Sequence, residues 1–248
     1  MPEPAPNPTA AMLVIGDEIL SGRTRDTNTN HLAVRLTEVG IDLREARVVA
    51  DAQDAIVAAV RALSASWDHV FTSGGIGPTH DDITADAVGA AFDAAVDVRD
   101  DARALLEAHY ARTGAELNAA RLRMARIPAG AALIDNPVST APGFTLGNVH
   151  VMAGVPKVFH AMVESVLPTL TGGTPPVSAS VRVTRGEGDI AGPLADLAQS
   201  FADLSFGSYP FQGADGRYGA NLVVRGPDGA RVAEAEAAIR SAFGADAA

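Results

Sequence analysis

Residues 68–82 read DHVFTSGGIGPTHDD. DHVFTS has the β-branched and aromatic character of a short strand, and three glycines, a proline and two adjacent aspartates follow it directly. A turn needs one glycine, sometimes two, so the surplus at Gly74, Gly75 and Gly77 predicts that something approaches the main chain closely. This stretch is read as a strand end and as a candidate site.

Upstream, AMLVIG (11–16) is a strand, and a polar stretch, DEILSGRTRDTNT, separates it from a helix predicted to begin near Asn30. Leu32, Val34, Leu36 and Val39 approximate helical spacing in that helix, and Gly40 stands where a C-cap glycine belongs. IDLREARVVA (41–50) alternates as a strand, 54–63 reads as a helix, and DHVFTS is the third strand. Strands alternating with helices of this length predict right-handed crossovers and a parallel sheet. The fold class is α/β: a three-layer, mostly parallel sheet with helices on both faces.

Downstream, a helix near Thr84 to Phe92 precedes a helical insertion over 100–126, and residues 131–154 supply short strands joined by turns at Asn136-Pro137, Pro142-Gly143 and Gly147-Asn148. A helix from about Pro156 to Leu167 takes its proline at a natural first-turn position. PTLTGGTPP (168–176) is a linker by composition. Beyond it, VSASVRV, a helix over 191–204, LSFGSYPF, GANLVVRG and a helix over 230–243 make a small α+β module in β-α-β-β-α order. The expected boundaries are a disordered leader (1–10), the main domain (11–170), the linker (171–176) and the small module (177–248).

Composition narrows the function classes. Nineteen basic against 30 acidic residues leave a net charge of −11, which opposes nucleic acid, because binding it draws on clustered Lys and Arg. The small module carries 6 basic and 9 acidic residues, so an RNA-binding role is not expected there either. Disulfides and thiolate metal sites are excluded, since the chain has no cysteine. No apolar run approaches the roughly 20 residues that cross a bilayer, so no membrane partner is expected. MPEPAPNPTA lacks a signal peptide's basic and apolar regions, and a cytoplasmic protein is expected.

In a doubly wound sheet, ligands bind outside the carboxyl ends of the strands, where both informative loops lie. After strand one come Gly16, Asp17 and Glu18, with Asn28 and Asn30 at the entry of the next helix. Asparagine there caps the helix or offers its amide to a ligand, and both readings stay open. The loop from Ser73 through Gly74, Gly75, Gly77, Pro78 and Thr79 lets backbone N–H groups face an anion, so a phosphate suits it. Asp81 and Asp82 repel such an anion unless a cation lies between them, and Mg²⁺ bridges carboxylates and phosphates in this way. Asp81, Asp82 and Glu18 are therefore the candidate metal ligands. Walker A, Gly-x-Gly-x-x-Gly and Gly-x-Ser-x-Gly patterns are absent, so P-loop kinase, dinucleotide-dehydrogenase and serine-hydrolase readings fall.

GDEILSGRTRDTNTNHLAVRLTEVG together with TSGGIGPTHDDITADAV resembles the molybdopterin-binding (MoaB/Mog) domain family, most closely its CinA-like (competence/damage-inducible protein A) branch. NPVSTAPGF and MAGVPKVF are similar to two further elements of that branch, and the resemblance spans about Met12 to Leu170. The tail, with GSYPF, resembles the small KH-type module that follows in those proteins; their carboxy-terminal amidohydrolase domain does not follow in these 248 residues. The resemblance implies that Pro142, Gly143, Gly154 and Pro156 join the loop in lining a ligand, with Asp82 at the position that acts in pterin adenylylation in the Mog branch. There an arginine precedes it; here Asp81 does, as in the CinA-like group. The resemblance thus implies a small phosphorylated partner (nucleotide or pterin phosphate), Mg²⁺- or Co²⁺-dependent cleavage of a nucleotide pyrophosphate such as ADP-ribose or FAD, catalytic roles for Asp82 and Asp81, and a homo-oligomer. Molybdopterin stays open as a ligand. Non-catalytic ligand binding and molybdopterin adenylylation are the alternatives, the former because Ser139, Ala153 and Val158 replace a glycine, a proline and a glutamate of the branch's motifs.

Overall fold

The computed structural model describes residues 6–213, 216 and 218–247, which divide into two compact units between Gly173 and Thr174. The expectation of a disordered leader falls for residues 1–5 outside the described residues and is corrected at its end. Thr9 and Ala10 already belong to β1 (Thr9–Ile15), with Ala10 fully buried.

The first unit is built around β1. Its neighbours are β2 (Asp42–Val49) and β3 (His69–Ser73), both parallel to it, and β8 (Val149–Met152) extends the parallel run beyond β3. β7 (Gly143–Leu146) and β6 (Ala132–Ile134) then add on antiparallel, giving the order β2-β1-β3-β8-β7-β6. The sheet is therefore mixed, with three parallel pairings and two antiparallel ones. Chain length explains the change, because Gly147-Asn148 leaves two residues between β7 and β8, enough for a hairpin and far too few for a parallel crossover.

Successive side chains of β1 point to opposite faces, and the strand supplies both cores. Ala11, Leu13 and Ile15 join Ile56, Val60 and Leu63 of α3 (Gln53–Ser66), Val88 of α4 (Thr84–Ala91) and Leu106 of α5 (Asp100–Thr113). Ala10, Met12 and Val14 join Leu32 and Leu36 of α2 (Asn28–Glu38) and Phe159, Met162 and Val163 of α7 (Pro156–Val166). Two helical layers thus sandwich the sheet. Phe71 and Phe159, both with no exposed surface, contribute roughly 1.5–3 kcal/mol each by burial.

Several boundaries differ from those expected. α2 begins at Asn28, two residues early, and Val34 lies half exposed because the core-facing stripe passes through Leu32 and Leu36. The stretch expected to be polar loop holds a one-turn helix, α1 (Asp17–Leu20). The insertion is less helical than expected: β4 (Val96–Val98) pairs with β5 (Arg126–Pro128), bracketing α5, α6 (Ala119–Leu122) and a 3₁₀ turn at Arg123–Ala125. Three-residue strands carry too little alternation to be visible in sequence.

The second unit has β9 (Val177–Val183), α8 (Glu187–Ser200), β10 (Ser205–Gln212), β11 (Tyr218–Gly226) and α9 (Gly229–Phe243). Its antiparallel sheet runs β10-β11-β9, and Val181, Leu222 and Val224 meet Ile190, Val232 and Ile239 in its core. α8 starts four residues before the expected Ala191 and tolerates Pro193 in its interior.

Candidate functional site

β1 leads through α2 to β2 on one side, and β2 leads through α3 to β3 on the other, so the chain reverses its winding between β1 and β3. Loops leaving the two strands diverge there and open a crevice at the carboxyl edge. A cavity of about 510 Å³ lies in it, lined by Glu18, Asp51, Gly74–Gly77, Asp81, Asp82, Asn136, Ser139, Gly154 and Pro156 among others.

The glycines have a more local reason than a ligand. Gly74 has φ +111°, and a Cβ there would lie 2.2 Å from the carbonyl oxygen of Ile15, while at Gly75 (φ +67°) it would lie 2.1 Å from Oγ1 of Thr84. At Gly77 it would meet the Asp82 carboxylate at 2.7 Å. What approaches the main chain first is the protein itself. The loop is then pinned: Gly74 N–H donates to the Met152 carbonyl, Thr84 Oγ1 donates to the Gly74 carbonyl, and Thr84 N–H to the Gly75 carbonyl. Bent this way, the loop leaves the consecutive N–H groups of Gly75, Ile76 and Gly77 with no acceptor among the described residues. All three residues line the cavity.

The acids do not act as one group. Asp82 Oδ2 accepts from both the N–H (2.7 Å) and the hydroxyl (2.6 Å) of Thr79, so this carboxylate shapes its own loop. The neighbouring Thr79 side chain, committed to Asp82, and the Asp81 backbone N–H lie close enough to hold the exposed Asp81 carboxyl below the usual carboxylate range. Among the described residues no three His, Asp or Glu side chains come together to hold a metal ion, so Glu18, Asp81 and Asp82 share a cavity wall without forming a cage. A fourth acid, Asp51, accepts from the Asp17 N–H at 2.9 Å. Its carboxyl is pushed up by burial and then by the carboxylates of Asp17, Glu18 and Asp81. The sequence reading missed Asp51; its signal was its place two residues beyond β2, at the ligand-bearing edge of a parallel strand.

Asn28 is neither a cap nor exposed. Asp26 caps the helix start by accepting from Asn28 N–H, whereas the Asn28 side chain, 4% exposed, donates to Ser73 Oγ and to the Gly154 carbonyl, both at 2.8 Å. It ties the end of β3 to the turn before α7. Asn30 is exposed and lines no described cavity, and neither does Asp17, whose part is its backbone N–H. Gly16 is buried beneath Glu18, and Pro78 and Thr79 lie exposed on the outer limb of the loop. Pro142 lines a narrow side branch. Gly143 is instead a packing position, since a Cβ there would meet the Val151 carbonyl at 2.3 Å. Asn136 is consumed by its own turn, accepting from Val138 and Ser139 N–H and donating to Ser139 Oγ and the Ala141 carbonyl.

A sheet wound both ways from β1, with a glycine loop at the point of reversal, defines a doubly wound α/β protein with a ligand crevice at its carboxyl edge. Residues 11–172 match the family model described as a probable molybdopterin binding domain, and the chain belongs to that family, in its CinA-like branch. Residues 175–248 match a second model, the middle domain of FAD synthase. A CinA-like protein of Citrifermentans bemidjiense is 41% identical over 65% of this chain and 40% of its own length. A probable FAD synthase of Caenorhabditis elegans is 34% identical over 82% of this chain and 44% of its own. Among solved structures, CinA of Thermoplasma acidophilum superposes with a TM-score of 0.61 at 34% identity, over 66% of this chain and 99% of that one. The chain thus spans less than half the length of these two named curated relatives.

Proposed function

We propose that the chain binds a small phosphorylated molecule, a nucleotide or pterin phosphate, in the 510 Å³ cavity. The observation that carries this is the run of three N–H groups at Gly75, Ile76 and Gly77 on the cavity wall, unengaged among the described residues. Successive amides of this kind favour an anion, and the surrounding net negative charge makes a bare anion unwelcome. The carboxylates fit a hard cation shared with the ligand's phosphates, held by Asp81, Asp82 or Glu18, and do not fit one caged by protein alone. Such an ion supplies charge neutralisation and an acidified water, and the finer reading is divalent-metal-dependent cleavage of a nucleotide pyrophosphate such as ADP-ribose or FAD. In that reading the loop amides hold the phosphoryl oxygens, Thr79 keeps Asp82 oriented, and Asn28 holds the Gly154 turn against the loop.

Calorimetric titration of ADP-ribose and of FAD, each with and without Mg²⁺ or Co²⁺, tests the binding; no heat from any combination would remove it. For turnover, Asp82→Asn keeps an acceptor for Thr79 but loses the charge. Metal-dependent hydrolysis is expected to fall on the order of 100-fold at an unchanged unfolding midpoint. Unchanged turnover would take Asp82 out of the chemistry.

One observation favours a second reading, ligand binding without catalysis. Val158, standing where the branch's motif has a glutamate, is buried in the core shared with α2 and offers no oxygen to the cavity it borders. ADP-ribose binding without product release supports this reading, and AMP transfer from ATP to molybdopterin would instead support adenylylation. Self-association belongs to the same proposal and is read by sedimentation velocity. No helix among the described residues is long and apolar enough to cross a membrane.

A further inference from the structure

The side branch bearing Pro142 measures about 20 Å³ and is lined by Gly75, Ile76, Gly77, Asp82, Arg123 and Arg126 among others. It shares Gly75, Ile76, Gly77 and Asp82 with the lining of the main cavity, and its size suits a single oxygen rather than a whole phosphate. Its two guanidinium groups differ in kind. Arg126 is taken, held bidentately by Asp86 at 2.6 and 2.7 Å. Arg123 forms no ion pair with any described carboxylate, and its one hydrogen bond, from Nη2, goes to the backbone carbonyl of Asp82 at 3.2 Å. Its Nε is buried with no partner.

A buried guanidinium N–H left without an acceptor is costly, and such orphans call for an explanation. The Asp82 contact aims Arg123 at the loop whose amides are also unengaged. We propose that Arg123 is the cationic anchor of the ligand, its guanidinium facing one non-bridging phosphate oxygen while the amides of Gly75, Ile76 and Gly77 take the others. This rests on the phosphate reading above and adds a residue that none of the loop motifs contains. It also supplies, within a strongly acidic crevice, a fixed positive charge belonging to the protein. Arginine suits the task better than lysine because its planar fork presents paired donors to a phosphate.

The full-length chain is titrated calorimetrically with ADP, ADP-ribose and adenosine in the presence of Mg²⁺. Arg123→Gln is expected to weaken ADP and ADP-ribose roughly 10- to 100-fold and to leave adenosine unchanged, with Arg123→Lys recovering part of the loss. Equal affinities of wild type and Arg123→Gln for ADP-ribose overturn the inference while the phosphate reading stands. A wild-type chain that binds neither ADP nor ADP-ribose overturns both. A readout on the unsubstituted chain covers the case in which the variants misfold. The Arg123 Nε–H resonance is expected to shift on addition of inorganic pyrophosphate, and a stationary resonance at saturating pyrophosphate overturns the inference.

Discussion

Gly74→Ala is expected to cost about 3 kcal/mol or more and to abolish ligand binding, because the new methyl has nowhere to go. Two costs combine. At φ +111° an L-residue is strained by about 1–3 kcal/mol, and the added Cβ would lie 2.2 Å from the Ile15 carbonyl oxygen, a main-chain atom at the carboxyl end of β1 that cannot rotate away. Relief requires β1 and β3 to part or the loop to leave its bonds to Met152 and Thr84. Either outcome moves the three free amides. Gly114→Ala separates the two costs, since Gly114, at the end of α5, has φ +74° but open space around it, so only the backbone strain of about 1 kcal/mol applies. Urea unfolding of both variants is the measurement, and a Gly74→Ala chain as stable as Gly114→Ala would show that the close approach to Ile15 is not there.

Stability is expected to fall by about 3 kcal/mol between pH 6.5 and pH 4 on account of one core histidine. His150 on β8 is 4% exposed, accepts or donates at Thr145 Oγ1 (3.0 Å), and faces His69 at 3.3 Å. Burial, and then the nearby His69 charge, push it from 6.5 down to about 4. The folded protein therefore holds this ring neutral while the unfolded chain takes up the proton, so the contribution is intact above pH 6.5 and drains away as the pH falls to 4. His69, also lowered by burial, acts in the same direction. His150→Gln removes the titrating ring, and whatever it does to absolute stability, the slope of unfolding free energy against pH across this window is expected to flatten. An unchanged slope would mean that His150 is protonated in the native state.

Much of the architecture was legible because it is written in local patterns. The continuous apolar run of β1, the alternation of β2, the spacing of Ile56, Val60 and Leu63, and proline at the start of α7 all reflect geometry that neighbouring residues impose on one another. The loop Gly74–Asp82 was equally visible, since glycines followed by acids are unusual by themselves. Their cause is not legible in the same way. Sequence shows that a side chain is excluded but cannot show what excludes it, and here the Ile15 carbonyl and the Thr84 hydroxyl come from residues brought near only by the sheet.

By itself, then, the chain's order of residues determined a strand-helix alternation, a second unit of different rhythm and a place where backbone would be bare. Tertiary structure alone decided which acids share a wall, that Asn28 is a tie between Ser73 and Gly154 rather than a cap, and that Arg123, 46 residues after Gly77, comes to stand beside the loop. The physical reason is that helix and strand periodicities arise from contacts a few residues apart, whereas a site at a reversal of winding is made by loops that meet only after the sheet between them has formed.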